Sequence, residues 1–216
     1  MRNIFIIGLG NFGFYLAAKL EGKSRVTAID IDRDKIQRIG PMVTRAVVGD
    51  ATNRELLREL GIDAAEVAVV SVGESMEKSI LITHHLKELN VKKIYSKAIS
   101  EEHAEILRMI GATRVLQPER EVAENLAMSI TKPTIVDYLQ LHKNFGIIEV
   151  DAPDKFAGHS LADLALRSAY GVTAIGIFRK GDRLVNPAPE TLILRGDRLV
   201  LLGNEQDIVE FEDSLR

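Results

Sequence analysis

The chain of 216 residues contains no cysteine. That absence excludes disulfides, thiolate nucleophiles and cysteine-built metal sites. Neither sign of charge is in excess: 28 Lys and Arg stand against 31 Asp and Glu, a formal net charge of −3, mixed along the chain. No basic face stands out, so nucleic acid is a poor candidate partner. No apolar stretch approaches the ~20 residues that cross a bilayer. The first residues read directly as a strand, with no leader pattern ahead of them. These features lead us to expect a soluble, intracellular chain. Hydrophobic residues at 46% and charged residues at 27% favour a packed core over disorder. The length suits one mid-sized domain or two small ones.

What is present is an alternation. Short apolar strands are expected at residues 3–7, 25–29, 44–48, 67–72, 93–97 and 114–116, with amphipathic helical segments such as 56–60, 79–89 and 104–110 between them. Strand–helix alternation at this spacing argues for a parallel sheet with helices on both faces. Thr52 and Glu55 have the spacing of a capping box, and Asp32 and Ser100 read as N-caps. In the stretch after residue 117, Val122, Leu126 and Ile130 recur at helical spacing, and Pro133 marks a break. "TIVDYLQL" follows as a second apolar segment, so a helix–turn–helix crossover is expected over 119–142, with a candidate hinge at 131–133. From 143 onward, strand-like runs separated by turns at 180–182 and 195–197 suggest a small α+β domain. Ser160 and Asp163 would box the start of one of its helices.

"FIIGLGNFGFYLAAKL", residues 5–20, sets Gly8, Gly10 and Gly13 in G-x-G-x-x-G spacing between a strand and a helix. The first glycine permits the tight turn, the second allows backbone to approach a pyrophosphate, and the third lets the helix pack on the sheet. The helix start offers free N–H groups and a positive dipole end to phosphate. Asp30 follows 17 residues after Gly13 at the end of the next strand, where a carboxylate accepts ribose hydroxyls. It would also repel a 2′-phosphate, which disfavours NADP.

No reaction accompanies this pattern. Tyr15 and Lys19 have the Y-x-x-x-K spacing of a reductase dyad, but they lie on the helix behind the glycine loop, where side chains face sheet or solvent. His84 and His85 diverge by about 100° on a helix and cannot readily chelate one metal. His103 follows two glutamates in a first helical turn and is expected at the surface. The five histidines form no triad or metal pattern. A small NAD-dependent oxidoreductase is thus the alternative reading, and a nucleotide-binding module without turnover the principal one.

Ordered motifs along the whole chain resemble the regulatory subunits of Trk/Ktr potassium uptake systems, built from RCK domains (regulators of potassium conductance). "IGLGNFG" is similar to the family's glycine loop, "AIDID" to its second strand and "VVGDAT" to its segment beside the adenine. "SILITHHLKELN", "SKAISEEHAEILRMIGATRVLQPERE" and residues 145–203 resemble later family segments. The resemblance implies a Rossmann-like nucleotide-binding domain over 1–118, a helical crossover over 119–142 and a C-terminal RCK (TrkA-C) lobe over 143–216. It implies a nucleotide site formed by Gly8, Leu9, Gly10, Asn11, Phe12 and Gly13, by Asp30, Ile31 and Asp32, by Gly49, Asp50, Ala51 and Thr52, and by Ser71, Val72 and Lys97, with Lys97 near the phosphates. Asn11 stands where many members carry an arginine that senses the terminal phosphate, so ATP/ADP and NAD/NADH both stay open. Glu119 matches an acidic position that meets a neighbour or a divalent cation at the subunit interface. Arg179, Asn186 and Pro187 match positions that contact cyclic di-AMP in some members. The family's implied assembly is a homo-oligomeric, often octameric ring, cytoplasmic and peripheral to the membrane. The ring docks on a potassium-translocating subunit of the TrkH/KtrB type, and nucleotide exchange gates that partner.

Overall fold

The apolar run NIFII builds β1 (Asn3–Ile7), with Ile4 and Ile6 packed on one side and Phe5 and Ile7 on the other. A strand buried on both faces belongs in the middle of a parallel sheet covered by helices. A computed structural model describes residues 1–72, 75–131, 135–142, 144–180 and 183–215. The chain divides into two compact units, Met1–Pro118 and Glu119–Arg216.

In the first unit β1 leads to α1 (Asn11–Lys19), β2 (Arg25–Asp30), α2 (Arg33–Ile39), β3 (Arg45–Val48) and α3 (Arg54–Glu59). Then follow β4 (Val67–Val70), α4 (Met76–Glu88), β5 (Ile94–Lys97), α5 (Glu101–Met109) and β6 (Arg114–Leu116). The strands pair in parallel in the order β3-β2-β1-β4-β5-β6. This is the doubly wound arrangement, and its strand order reverses between β1 and β4. Ligands of such sheets bind beyond the C-terminal strand ends at that reversal. Asp32 and Ser100 cap α2 and α5 through their side chains, as expected. The Thr52–Glu55 box does not form. Asn53 caps α3 instead, accepting the Glu55 and Leu56 N–H groups, while the Thr52 hydroxyl turns back to Asp50. Asparagine is a stronger N-cap than threonine, and it starts the helix one residue later.

The second unit is antiparallel. It contains α6 (Pro118–Thr131, whose first residue belongs to the first unit), β7 (Ile135–His142), β8 (Phe145–Asp151), α7 (Leu161–Leu164) and α8 (Leu166–Tyr170). β9 (Thr173–Arg179), β10 (Arg183–Val185), β11 (Arg198–Asn204) and α9 (Glu205–Asp213) complete it. The sheet order is β10-β9-β11-β8-β7. β11 alternates buried and half-buried residues, the pattern of a strand with one covered face. Ile148, Val150, Leu199, Leu201 and Phe211 are among the core residues. Ser160 and Asp163 form the expected capping box.

The expected helix–turn–helix is corrected here. Its first half is α6, but "TIVDYLQL" contributes a strand, β7, which pairs with β8 from Ile135↔Val150 to His142↔Phe145. A short run holding Ile135, Val136 and Tyr138 suits a pleated edge, and pairing with a neighbouring strand decides its state more than local pattern does. Pro133 and the turn residues Gly181 and Asp182 lie outside the described residues.

Candidate nucleotide site

The three glycines of the first loop have three different surroundings. Gly8 leaves β1 with φ +91°, and a Cβ there would collide with the Ser71 backbone and come within 2.8 Å of Val72 N. A Cβ on Gly13 would collide with the backbone oxygen of Gly8. The fold itself therefore demands both residues. Gly10 is different: it is the N-cap of α1, its φ of −64° suits any residue, and a Cβ there would meet nothing within 4 Å. Its small size has no explanation in packing. No side chain caps α1 and its first turn carries no acid, so its leading N–H groups face outward.

That bare helix start borders a cavity of about 330 Å³ at the C-terminal ends of the first four strands. Gly8, Gly10, Asp30, Ile31, Ser71 and Val72 line it, as do Gly49, Asp50, Ala51 and Thr52 from the β3–α3 loop. Asp30 ends β2 and ties the loops together. One carboxylate oxygen accepts the Leu9 N–H at 2.6 Å and the other accepts the Asp32 N–H at 2.9 Å. Each oxygen keeps a lone pair for a further donor. Asp50 accepts the Thr52 hydroxyl at 2.7 Å and the Thr52 N–H at 2.9 Å. These bonds from Thr52, hydroxyl first, hold the Asp50 carboxyl below the usual carboxylate range, with Lys78 adding a smaller attraction.

The other sequence-expected residues lie around the cavity rather than on it. Leu9 is buried beneath the loop, Asn11 and Phe12 form the first turn of α1, Gly13 packs under Gly8, and Asp32 caps α2. Lys97 ends β5 and is absent from the cavity wall. The sequence reading missed Lys35, Ser75 and Lys78, and the apolar floor of Ile7, Ile29 and Ile82. Lys35 and Lys78 each lie within one turn of the start of a helix that leaves the C-terminal end of a sheet strand, the edge at which such sheets bind ligands. That position is the signal that could have found them.

His103 is corrected from surface to core. It is 1% exposed; its Nδ1 accepts the Ile99 N–H at 3.3 Å, and its Nε2 is buried without a hydrogen-bond partner among the described residues. Burial pushes its imidazole below the ordinary histidine range. Tyr15 is 70% exposed. His84 and His85 have ring centroids 6.1 Å apart, each reaching toward Glu88 at 3.8 Å. Among the described residues no group of three His, Asp or Glu side chains is arranged to hold a metal, and Glu119 is exposed in the first turn of α6.

In the second unit, the Arg179 guanidinium is committed to Asp197 at 2.8 and 3.0 Å and to the Leu192 carbonyl at 2.9 Å. Asn186 is exposed, while Pro187 borders an open groove of about 710 Å³ between α7–α8 and β9. Arg179 does not line that groove.

Comparison with known proteins places this geometry in a family. The TrkA-N domain model matches residues 4–118 and the TrkA-C domain model residues 145–216. The chain is 36% identical over 212 residues to Ktr system potassium uptake protein C of Bacillus subtilis (strain 168), covering 98% of this chain and 96% of that protein. Against Ktr system potassium uptake protein A of the same organism it is 35% identical over 213 residues, with the same coverage. Among solved structures, the GsuK channel bound to NAD superposes with a TM-score of 0.71 at 22% identity, covering all of this chain and 39% of that one. The GsuK RCK domain superposes with a TM-score of 0.53 at 26% identity, covering 99% of this chain and 46% of that one. With both domain models matched in order, and over a third of residues identical along nearly a whole Ktr protein, the chain belongs to the TrkA-N/TrkA-C family of Ktr- and Trk-type potassium uptake proteins.

Proposed function

We propose that this chain is the nucleotide-binding regulatory subunit of a Ktr-type potassium uptake system and that it works without turnover. One observation carries the nucleotide reading: Gly10 leaves an uncapped helix start open over a cavity walled by Asp30, and packing gives no reason for a glycine there. In this reading the α1 N–H groups hold phosphate, since a helix N-terminus favours an anion. Asp30 accepts ribose hydroxyls with the lone pairs left after Leu9 and Asp32. Asp50, held ionised by Thr52, accepts a donor on the base. The GsuK channel bound to NAD supports an adenine nucleotide, ATP/ADP or NAD/NADH, as the ligand class.

Regulation requires a ligand that binds two states of the assembly with different affinity; tight binding alone shifts nothing. Among the described residues no helix is long and apolar enough to cross a membrane. The subunit acts in this reading from the cytoplasmic side, by changing shape against a membrane-bound potassium-translocating partner. The proposed division is 1–118 for nucleotide, 119–142 for the connection and 143–216 for the C-terminal lobe. Val122, Leu126 and Ile130 on α6 are 65%, 56% and 70% exposed, an apolar stripe that supports assembly of several copies, in an octameric ring. A divalent cation at Glu119 would draw its other ligands from a second copy. In this reading cyclic di-AMP occupies the groove beside Pro187 in the C-terminal lobe, and Asn186, the residue before it, is exposed. Among the described residues the cavity wall carries no histidine or tyrosine that would support the oxidoreductase alternative.

Light scattering after size exclusion should give a mass above that of a dimer, and a monomer at micromolar concentration would contradict ring assembly. Titration calorimetry with ADP, ATP, NAD and NADH tests the pocket. Asp30→Ala should weaken binding by about 1.5–3 kcal/mol, the range for hydrogen bonds to a charged acceptor. Unchanged affinity for all four nucleotides would refute the ribose placement.

A further inference from the structure

The cavity holds little positive charge for a ligand that carries two or more negative charges. Asp30 and Asp50 line it, and so do two cations, Lys35 and Lys78. The start of α1 supplies N–H groups and a partial positive charge of about half a unit, but no charged side chain. The Lys35 ammonium lies 3.9 Å from the Asp32 carboxylate, so part of its charge is already answered. Lys97, which the family resemblance implied near the phosphates, does not line the cavity.

Lys78 is situated differently. It is the third residue of α4, and its backbone N–H donates to the Ser75 Oγ at 3.3 Å, which fixes where its stem begins. Among the described residues its ammonium has no ion-pair partner within 4.0 Å, although its charge is felt by Asp50. It lines the same cavity as Gly10 from the opposite face of the sheet, α4 packing with Phe5 and Ile7 and α1 with Ile4 and Ile6, and among the described residues no ion pair holds its ammonium in place. A flexible ammonium stem is suited to following phosphate groups as a point charge.

We propose that Lys78 supplies the countercharge to the phosphate groups of an adenine nucleotide in this cavity, and so sets the preference for phosphorylated over unphosphorylated adenine ligands. The proposal rests on the nucleotide reading of the cavity given above. It assigns to the helix after β4 a role that the family resemblance implied for Lys97 on β5.

The test is titration calorimetry of the full chain with ADP and with adenosine, at low and at moderate salt, for wild type, Lys78→Gln and Lys78→Arg. Lys78 is exposed, so neither substitution threatens the core. Lys78→Gln should weaken ADP about tenfold or more, the scale of a hydrogen bond to a charged group, and leave adenosine unchanged. The salt dependence of ADP binding should flatten with it, since a screened charge pair has been removed. Lys78→Arg should keep ADP affinity within about threefold, because the charge is retained. Equal losses for ADP and adenosine, or no loss for ADP, would overturn the assignment while leaving the cavity a nucleotide site. Wild-type protein that binds neither ligand would overturn the nucleotide reading itself, and the role of Lys78 with it.

Discussion

Gly10→Val is expected to weaken adenine nucleotide binding by at least about a hundredfold, a loss of roughly 2.7 kcal/mol or more. The effect is steric and arises only with ligand bound. In the free protein a Cβ at Gly10 meets nothing within 4 Å, and the backbone angles there suit any residue. With phosphate drawn against the α1 N–H groups, the same space is filled and the valine methyls collide with it. Folding should be nearly indifferent: exchanging a glycine N-cap for valine costs about 1 kcal/mol or less. Gly13→Ala should do the reverse. Its methyl would strike the Gly8 carbonyl, backbone against backbone, and destabilise the first unit by about 1–3 kcal/mol or more. Chemical denaturation and calorimetry on both variants check the pair. A Gly10→Val protein that binds like wild type would leave that glycine without a function.

Asp197→Ala is expected to cost the second unit about 3–5 kcal/mol, the scale of breaking a buried ion pair. Asp197 is 1% exposed and takes two bonds from Arg179 and one from the Leu194 N–H. Burial pushes its carboxyl up; the bonds from Arg179 and Leu194 and the Arg179 charge outweigh burial, and the carboxyl ends below the usual range. A comparison is built into the same lobe. Arg195 grips Asp154 at 2.8 and 3.1 Å, nearly the same geometry, but with side chains 80% and 69% exposed. Asp154→Ala should therefore cost no more than about 1 kcal/mol. Because the folded Asp197 carboxyl titrates below its unfolded value of about 3.9, its contribution is complete above that pH and is lost as pH falls through the lowered folded value. Urea denaturation of both variants at neutral pH, and of wild type across that acid range, checks the ordering. Equal costs for the two substitutions would mean that burial does not decide their worth.

Much of the first unit was legible because its signals are local. The strand–glycine–helix order around Gly8 and the delayed carboxylate at Asp30 sit within about one βαβ unit, and each can be read without knowing the rest of the sheet. Asp32 and Ser100 were readable as caps for the same reason. Lys78 was not, because it reaches the cavity only through the strand order, which sets β4 beside β1 despite some 60 intervening residues. His103 misled through its neighbours: Glu101 and Glu102 face solvent, but Ser100 as N-cap turns position 103 onto the face that Ala104 and Leu107 bury. β7 was misread because an apolar run of eight residues fits a short helix or a strand, and pairing with β8 settled it.

In the proposed function, nucleotide occupancy of this cavity controls potassium uptake. The most direct measurement is potassium-limited growth and uptake in cells lacking their own regulatory subunit, carrying the cognate translocating subunit, and supplied with wild type or Gly10→Val. The variant is first shown to be folded, assembled and free of nucleotide. Coupling between regulatory and functional sites is worth ~1–3 kcal/mol, a change of about 5–150-fold in an equilibrium. Wild type is expected to restore uptake and its nucleotide response, and Gly10→Val to lose both. A folded, assembled, nucleotide-free Gly10→Val subunit that supports uptake as well as wild type would contradict the switch and make the nucleotide a structural ligand.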